Sequence, residues 1–448
     1  MIEVQNRSRC MPGPYLSVGL DVGADFTWVA IAAPDGTPVE KPFKMIHNDP
    51  ASREAALSLI KKAQDELSLK PLCFAESTGV YHRPVLCFFE SNGLETRLIN
   101  PIITKSSTNL NVRKVHNDRF DAQKIAQLGQ NPTLKTSAVV PENIQALRSL
   151  VRDYYGYIEE REKHVLKLTA LLKTSFPLYS RCFQSIASGT SLAVLDKWPT
   201  PADFLKAEKA EVMGVLHSAK RGAAWEESKY AALSEAANSA LQFGAQTRTD
   251  AFRIRCCIQA IRAVDELAEL HLHEMHKLVY IEPESDLAEY VNLIQSYRGA
   301  GFVISATLVA EMGDPHAFSS GRKLAAFWGL DPGVRQSGHY EAPSCRMSKR
   351  GSPYARRGLY MLALQSLRMY TVDGKKAAVH PELRAYYDEL RKRKPAKVAI
   401  GAVMHKLAMI IYAVLRDGEP YRPLTAEEHA ERMAQRQAQA RLLQTARA

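Results

Sequence analysis

The chain has 448 residues, 46% of them hydrophobic and 24% charged, which is ordinary globular material for two or three domains and excludes a protein without a core. Its formal net charge of +11 is localised: residues 321–400 hold 17 lysines and arginines against 6 carboxylates, and the remainder is balanced. The cysteines (Cys10, Cys73, Cys87, Cys182, Cys256, Cys257 and Cys345) are odd in number with no Cys-x-x-Cys pair, which argues against a disulfide framework or structural zinc and makes a reducing cytoplasm the expected location.

Residues 1–14 lack the basic-then-apolar pattern of a signal peptide and are expected to be a disordered tail. Residues 15–20, 26–33 and 39–47 then read as three short strands, with Asp35-Gly36 turning the second into the third. Residues 52–67 have helical periodicity, with Ala55, Leu57, Ile60 and Ala63 apolar and Ser52 as the cap before Glu54. Residues 72–75 form a buried-looking strand ending at Glu76. A helix at 84–90, a strand at 94–99 and a helix at 118–128 complete the order βββαβαβα, an α/β architecture with helices on a mixed sheet.

Four carboxylates stand at the ends of these elements. Asp21 lies in Gly19-Leu20-Asp21-Val22-Gly23, Glu76 ends a strand, and Asp118 and Asp121 share one face of a first helical turn. Magnesium takes carboxylate oxygens and keeps several waters, so a two-ion site needs acids converging from different elements. Singly, Asp21 reads as a turn residue and Asp118 as a helix cap. Four acids in this topological order read as the metal site of a ribonuclease H-like fold working on a phosphodiester.

From residue 145 to 172, Leu147, Val151, Tyr154, Ile158, Val165, Leu168 and Leu172 follow a heptad spacing with a miss at Arg161, and a second long helix, 250–279, carries Ile254, Ile258, Ile261, Val264 and Leu267 on one face. Packing within the chain and dimerisation fit these helices equally. No job is assigned to residues 178–244. Downstream, Arg298-Gly299-Ala300-Gly301 joins two apolar helices in a spacing like a helix-hairpin-helix element, whose turn can offer backbone amides to a phosphate or serve packing alone. The basic stretch interleaves Arg346 to Arg350, Arg356-Arg357 and Arg391 to Lys394 with Tyr340, Tyr354 and Tyr360, the footprint of a polyanion partner. A serine among arginines can attack a phosphodiester, although by spacing alone Ser337 reads as a turn residue. The most apolar helix, 398–415, is interrupted by His405-Lys406, so no membrane span is expected.

In chain order, Gly19 to Val22, Ala75 to Tyr81, Lys114 to Asp118, Asp121-Ala122, Gly299-Ala300-Gly301, Gly329 to Pro332, Gln336-Ser337-Gly338 and Ser348 to Gly351 resemble the DEDD transposases of insertion sequence family 110, over roughly residues 15–130 and 290–370. The resemblance implies a RuvC-like catalytic domain over 15–135, a helical coiled-coil linker over 136–285, a mainly α, basic, DNA-binding transposase domain over 286–420 and a helical or frayed tail over 421–448. It implies that Asp21, Glu76, Asp118 and Asp121 bind Mg2+, and that Ser337 is the nucleophile of a recombinase that excises and inserts its element. Gly299, Gly301, Arg335, Arg346, Lys349, Arg350, Arg356 and Arg357 are the expected nucleic-acid contacts. Implied partners are DNA at the element ends and target, a guide RNA encoded by the element as in some family members, and further copies of the chain in a dimer or tetramer.

Two motifs depart from the family pattern. Arg298-Gly299-Ala300-Gly301 stands where Pro-Gly-Ile-Gly is usual, and His116-Asn117-Asp118 where Lys-Thr-Asp is usual; neither removes a catalytic atom. A Holliday-junction resolvase-like nuclease would use the same four acids with water as nucleophile. An actin-like sugar kinase would share the Gly-x-Asp-x-Gly loop but needs a second α/β half, which the helical, basic half here does not resemble.

Overall fold

The computed structural model describes residues 14–76, 81–99, 101, 103–104, 118–131, 134, 136–138, 140–281, 286–332, 336–337, 340–341, 347–372 and 374–423. The expected N-terminal tail up to residue 13, the stretch around His116 and Asn117, Arg335, Arg346 and the tail from 424 lie outside these residues. The chain divides into two compact units, Met1–Pro141 and Glu142–Ala448.

The first unit is a six-stranded mixed sheet of order β3-β2-β1-β4-β5-β6, with helices on both faces. Its elements are β1 (Leu16–Val22), β2 (Phe26–Ala32), β3 (Phe43–Ile46), α1 (Pro50–Leu67), β4 (Pro71–Glu76), α2 (His82–Ser91), β5 (Glu95–Ile99), α3 (Asp118–Gly129) and β6 (Thr136–Ala138). β1, β4 and β5 run parallel to one another, while β2, β3 and β6 are antiparallel to their neighbours. Strand alternation divides β1 between two cores. Leu16, Val18 and Leu20 join Ile60 of α1 and Phe89 of α2 on one side, and Ser17, Gly19 and Asp21 turn to the other, where α3 lies.

The expected βββαβαβα order is present, and β6 extends it. Three residues with no apolar alternation carry no strand signal of their own; β6 exists because β5 offers it an edge to pair with. α1 begins at Pro50 rather than Ser52, because the Asp49 carboxylate accepts from the Ala51 amide at 3.0 Å, while the Ser52 hydroxyl accepts from the Ile46 amide.

The second unit is mostly helical. α4 (Glu142–Ser175) runs antiparallel to α10 (Asp250–Tyr280), joined by the Arg161–Asp265 ion pair and by the Tyr157 ring against His271. Between them α5 (Tyr179–Cys182), α6 (Gly189–Lys197), α7 (Pro201–Lys206), α8 (Lys209–His217) and α9 (Ala223–Phe243) form a helical insert that shares one core with the long pair, built on Phe176, Tyr179, Trp198 and Ile258. The seam differs in detail from the heptad reading. Tyr155 and Leu171 are buried on α4 where Tyr154 is half-buried, and Ala268 is buried on α10 where Leu267 is exposed, as the 3.6-residue period drifts from a strict heptad.

The remainder comprises α11 (Leu287–Gln295), α12 (Phe302–Met312), α13 (Gly321–Phe327), the short strands β7 (Gln336–Ser337) and β8 (Tyr340–Glu341), α14 (Pro353–Ser366), the ribbon β9 (Met369–Val372) with β10 (Lys375–Ala378), α15 (Pro381–Arg391) and α16 (Ala396–Asp417). α12 is buried from Ser305 to Met312 and packs on α4, α11 and α14. α16 is long and apolar enough to cross a membrane by length and composition, yet over half of its most apolar 18-residue stretch is buried, and the helix packs on α13, α14 and α15.

Candidate active site

The acidic centre begins with a contact between backbones. A Cβ built on Gly19 would stand 2.9 Å from the Ala126 Cα and closer still to the Ala122 carbonyl oxygen, so only glycine lets α3 lie directly on β1. Asp21, two residues on, faces the same side. β4 runs parallel to β1 with Leu20 opposite Ala75, which puts Glu76 level with Asp21 on the adjacent strand. Asp118 and Asp121 occupy the first turn of α3, Asp118 one turn before the contact at Ala122 and Asp121 immediately before it, where the helix dipole favours negative charge.

The electrostatics agree with this placement. The Asp21 carboxyl is pushed up to about 6, first by burial and then by the charges of Asp121, Asp118 and Glu76. All four expected acids therefore act on one point of the first unit. Asp121 also pairs with Lys124 Nζ at 2.9 Å, a partner the sequence signals only as an i, i+3 spacing. Among the described residues, no three His, Cys, Asp or Glu side chains are gathered into a ready coordination shell. The donor set still fits a hard divalent cation. It consists of oxygens whose mutual repulsion a cation would relieve, and magnesium keeps waters in place of a full protein cage.

Ser337 lies in the second unit, in β7, paired antiparallel with β8 so that Ser337 stands opposite Tyr340. The base from which this small ribbon rises is tied. Ser348 donates its hydroxyl to Asp331 Oδ1 at 2.5 Å and its amide to the Asp331 carbonyl at 2.8 Å, and Met347 bridges to Pro332. A Cβ on Gly351 would meet the Trp328 carbonyl carbon and stand 2.6 Å from its Cα, so the Trp328 to Pro332 and Ser348 to Gly351 segments cross backbone to backbone. The Asp331–Ser348 bond was signalled in the sequence only by the two motifs being present, not by their pairing.

The expected nucleic-acid contacts separate into groups. Lys349 and Arg350 are exposed. Arg356 donates to the carbonyls of Trp328 and Gly351 at 3.0 and 2.6 Å, and Arg357 pairs with Glu159 at 3.0 Å while stacking over Tyr155, so both have roles inside the fold. Gly299 and Gly301 are exposed in the turn between α11 and α12. That turn is held by His380, whose Nε2 donates to the Arg298 carbonyl at 2.7 Å and whose ring stacks on Tyr297 at 4.2 Å. Burial lowers the His380 pKa, favouring the neutral ring.

Comparison with known proteins covers both units. A transposase family model of the DEDD, IS110 type matches residues 18–177, and a second, described as transposase IS116/IS110/IS902 family, matches residues 291–388. The chain is 28% identical over 250 residues to the insertion element IS900 uncharacterized 42 kDa protein of Mycobacterium paratuberculosis, covering 55% of this chain and 57% of that protein. It is 33% identical over 129 residues to the transposase for insertion sequence element IS1111A of Coxiella burnetii, covering 29% and 34% of the two chains. A pilin gene-inverting protein of Moraxella bovis is 28% identical over 159 residues, 35% of this chain and 45% of that one. The similarity thus spans between about a third and just over half the length of these relatives.

Proposed function

Since the chain belongs to the IS110 family of transposases, we propose that it is a DNA recombinase of a mobile element, cutting and rejoining strands with an acidic centre in a RuvC-like domain and a serine nucleophile in the helical unit. The observation that carries this reading is the placement of Asp21 on β1, Glu76 at the end of the adjacent β4, and Asp118 and Asp121 in the first turn of α3, the helix seated on β1 at Gly19; the raised Asp21 carboxyl agrees with it. The sheet order, with β1, β4 and β5 parallel and a β1-β2-β3 meander, supports the ribonuclease H-like assignment.

Asp21, Glu76, Asp118 and Asp121 would hold Mg2+. When bound, the ion supplies charge neutralisation at a scissile phosphate. Ser337 would lose its hydroxyl proton as Oγ bonds to phosphorus; the bond to the departing strand breaks and that strand leaves as a free hydroxyl. Attack by the hydroxyl of another strand reverses the step, restores the serine and keeps the number of phosphodiesters unchanged. DNA at the element ends and target, a guide RNA and a homo-oligomer belong to the same proposal, as does a linker role for 136–285.

A denaturing gel tests it. The full chain is incubated with Mg2+, nicked element-junction DNA and total RNA from cells carrying the element, and compared with Ser337→Ala and Asp21→Asn. A slow protein–DNA band with wild type and neither variant is expected. Cleavage that persists in Ser337→Ala with no adduct would move the protein to a water-using, resolvase-like reaction.

A further inference from the structure

The β9–β10 ribbon has no part in the proposed chemistry, yet it is joined firmly to the glycine turn. The Arg298 guanidinium lies over the Tyr370 ring of β9 at 5.1 Å, and His380, which follows β10, bonds to the Arg298 carbonyl. Gln365, at the end of α14 before β9, sits 3.3 Å from where a Gly299 Cβ would be. Turn and ribbon therefore form one edge of the helical unit.

That edge is cationic. Register places Lys375 opposite Val372, on the face that carries Tyr370, and Lys376 opposite Thr371 on the other face. Arg298, Arg368, Lys375 and Lys376 are all exposed. None of the four forms an ion pair with a carboxylate among the described residues. By contrast Arg357, Arg384 and Lys392 in the same basic region are each paired with an acid.

We infer that the β9–β10 ribbon inserts into the major groove of duplex DNA, with Lys375 and Lys376 on opposite groove walls and Arg298, beside the glycine turn, on a flanking phosphate. This rests on the reading that the chain acts on DNA. A two-stranded ribbon fits the B-form major groove, about 12 Å wide, while the A-form RNA groove is too deep and narrow to admit it. A cation on each face is what a ribbon between two phosphate walls requires, and a ribbon lying flat on a protein surface would not.

Fluorescence anisotropy of the purified full chain, with a labelled DNA duplex and an RNA duplex of the same sequence over a series of salt concentrations, tests the inference. Lys375→Ala/Lys376→Ala should reduce the slope of log affinity against log salt by about 1.8, two phosphate contacts' worth. It should also expose guanine N7 atoms that wild type shields from dimethyl sulfate. Lys163→Ala/Lys167→Ala, exposed on α4, should leave the slope unchanged. If the double alanine variant loses helical signal, Lys375→Gln/Lys376→Gln reads the same slope. An unchanged slope on the DNA duplex, or a slope lowered equally on the RNA duplex, overturns the ribbon assignment while leaving the recombinase reading standing. Failure of wild type to bind any duplex overturns both.

Discussion

Gly19 on β1 and Ala122 on α3 touch through their backbones, and this contact brings acids from three separate elements to one place. The helix can approach no closer, and with any side chain at residue 19 it would have to withdraw. The distance from Asp21 to Asp118 and Asp121 is therefore set by a residue with no chemistry of its own.

Gly19→Ala should destabilise the first unit by about 3 kcal/mol, the upper end of the cost of overpacking, because the atoms met are backbone and cannot rotate away. Urea unfolding followed by circular dichroism reads this directly. A midpoint equal to wild type would mean that α3 is not seated on β1 as described.

The raised Asp21 carboxyl links stability to pH. In the folded chain it holds its proton up to about pH 6, whereas in the unfolded chain it releases it near the ordinary carboxylate value. Between those values the folded state binds more protons, so stability falls as pH rises from about 4 to about 6 and stays lower above. Asp21→Asn should remove that slope and make the chain more stable than wild type at neutral pH without divalent ions. Added Mg2+ should raise the wild-type unfolding midpoint but not that of the variant. Equal pH slopes for the two proteins would show that Asp21 does not feel the other acids.

Arg152 clamps the buried Glu311 of α12 with two bonds, Nε at 2.7 Å and Nη2 at 2.9 Å, while Arg148 donates to the Ala310 carbonyl at 2.8 Å. Arg152→Ala leaves a carboxylate in the core without its partner and should cost about 3 kcal/mol. Glu311→Gln, which keeps an acceptor, should cost less. Thermal unfolding of both variants gives the order, and the reverse order would sink the clamp.

Ser348→Ala removes the hydroxyl bond to Asp331 at the base of the Ser337 ribbon. The expected loss in stability is about 1 kcal/mol. The yield of covalent protein–DNA adduct should fall without disappearing, and Ser337→Ala should abolish it. A full adduct yield from Ser348→Ala would separate the latch from the ribbon's position.

The strands and helices of the first unit were readable because their apolar residues alternate or recur with clear periods, as in Leu16, Val18 and Leu20 or Ile60 and Ala63. β6 was not readable, because the three residues Thr136 to Ala138 have no alternation of their own and their pairing with β5 creates the strand. The β9–β10 ribbon has a sequence signal in Tyr370-Thr371-Val372 before Asp373-Gly374, a hairpin-turn pair. The acids were visible as an ordered series at element ends, whereas the Lys124 partner of Asp121 and the inward roles of Arg356 and Arg357 were not, since a charge's partner is a matter of distance in space.

Sequence alone determined most element types of the first unit, the family resemblance and the expectation of a four-acid site, because periodicity and motif order are properties of the chain taken in line. Tertiary structure decided which charges remain available and which are paired, how Asp331 ties to Ser348, and that burial and three neighbouring acids together raise Asp21. Coulomb and desolvation effects depend on separations between residues far apart in sequence, and only the packing of α3 on β1 and of Gly351 on Trp328 sets those separations.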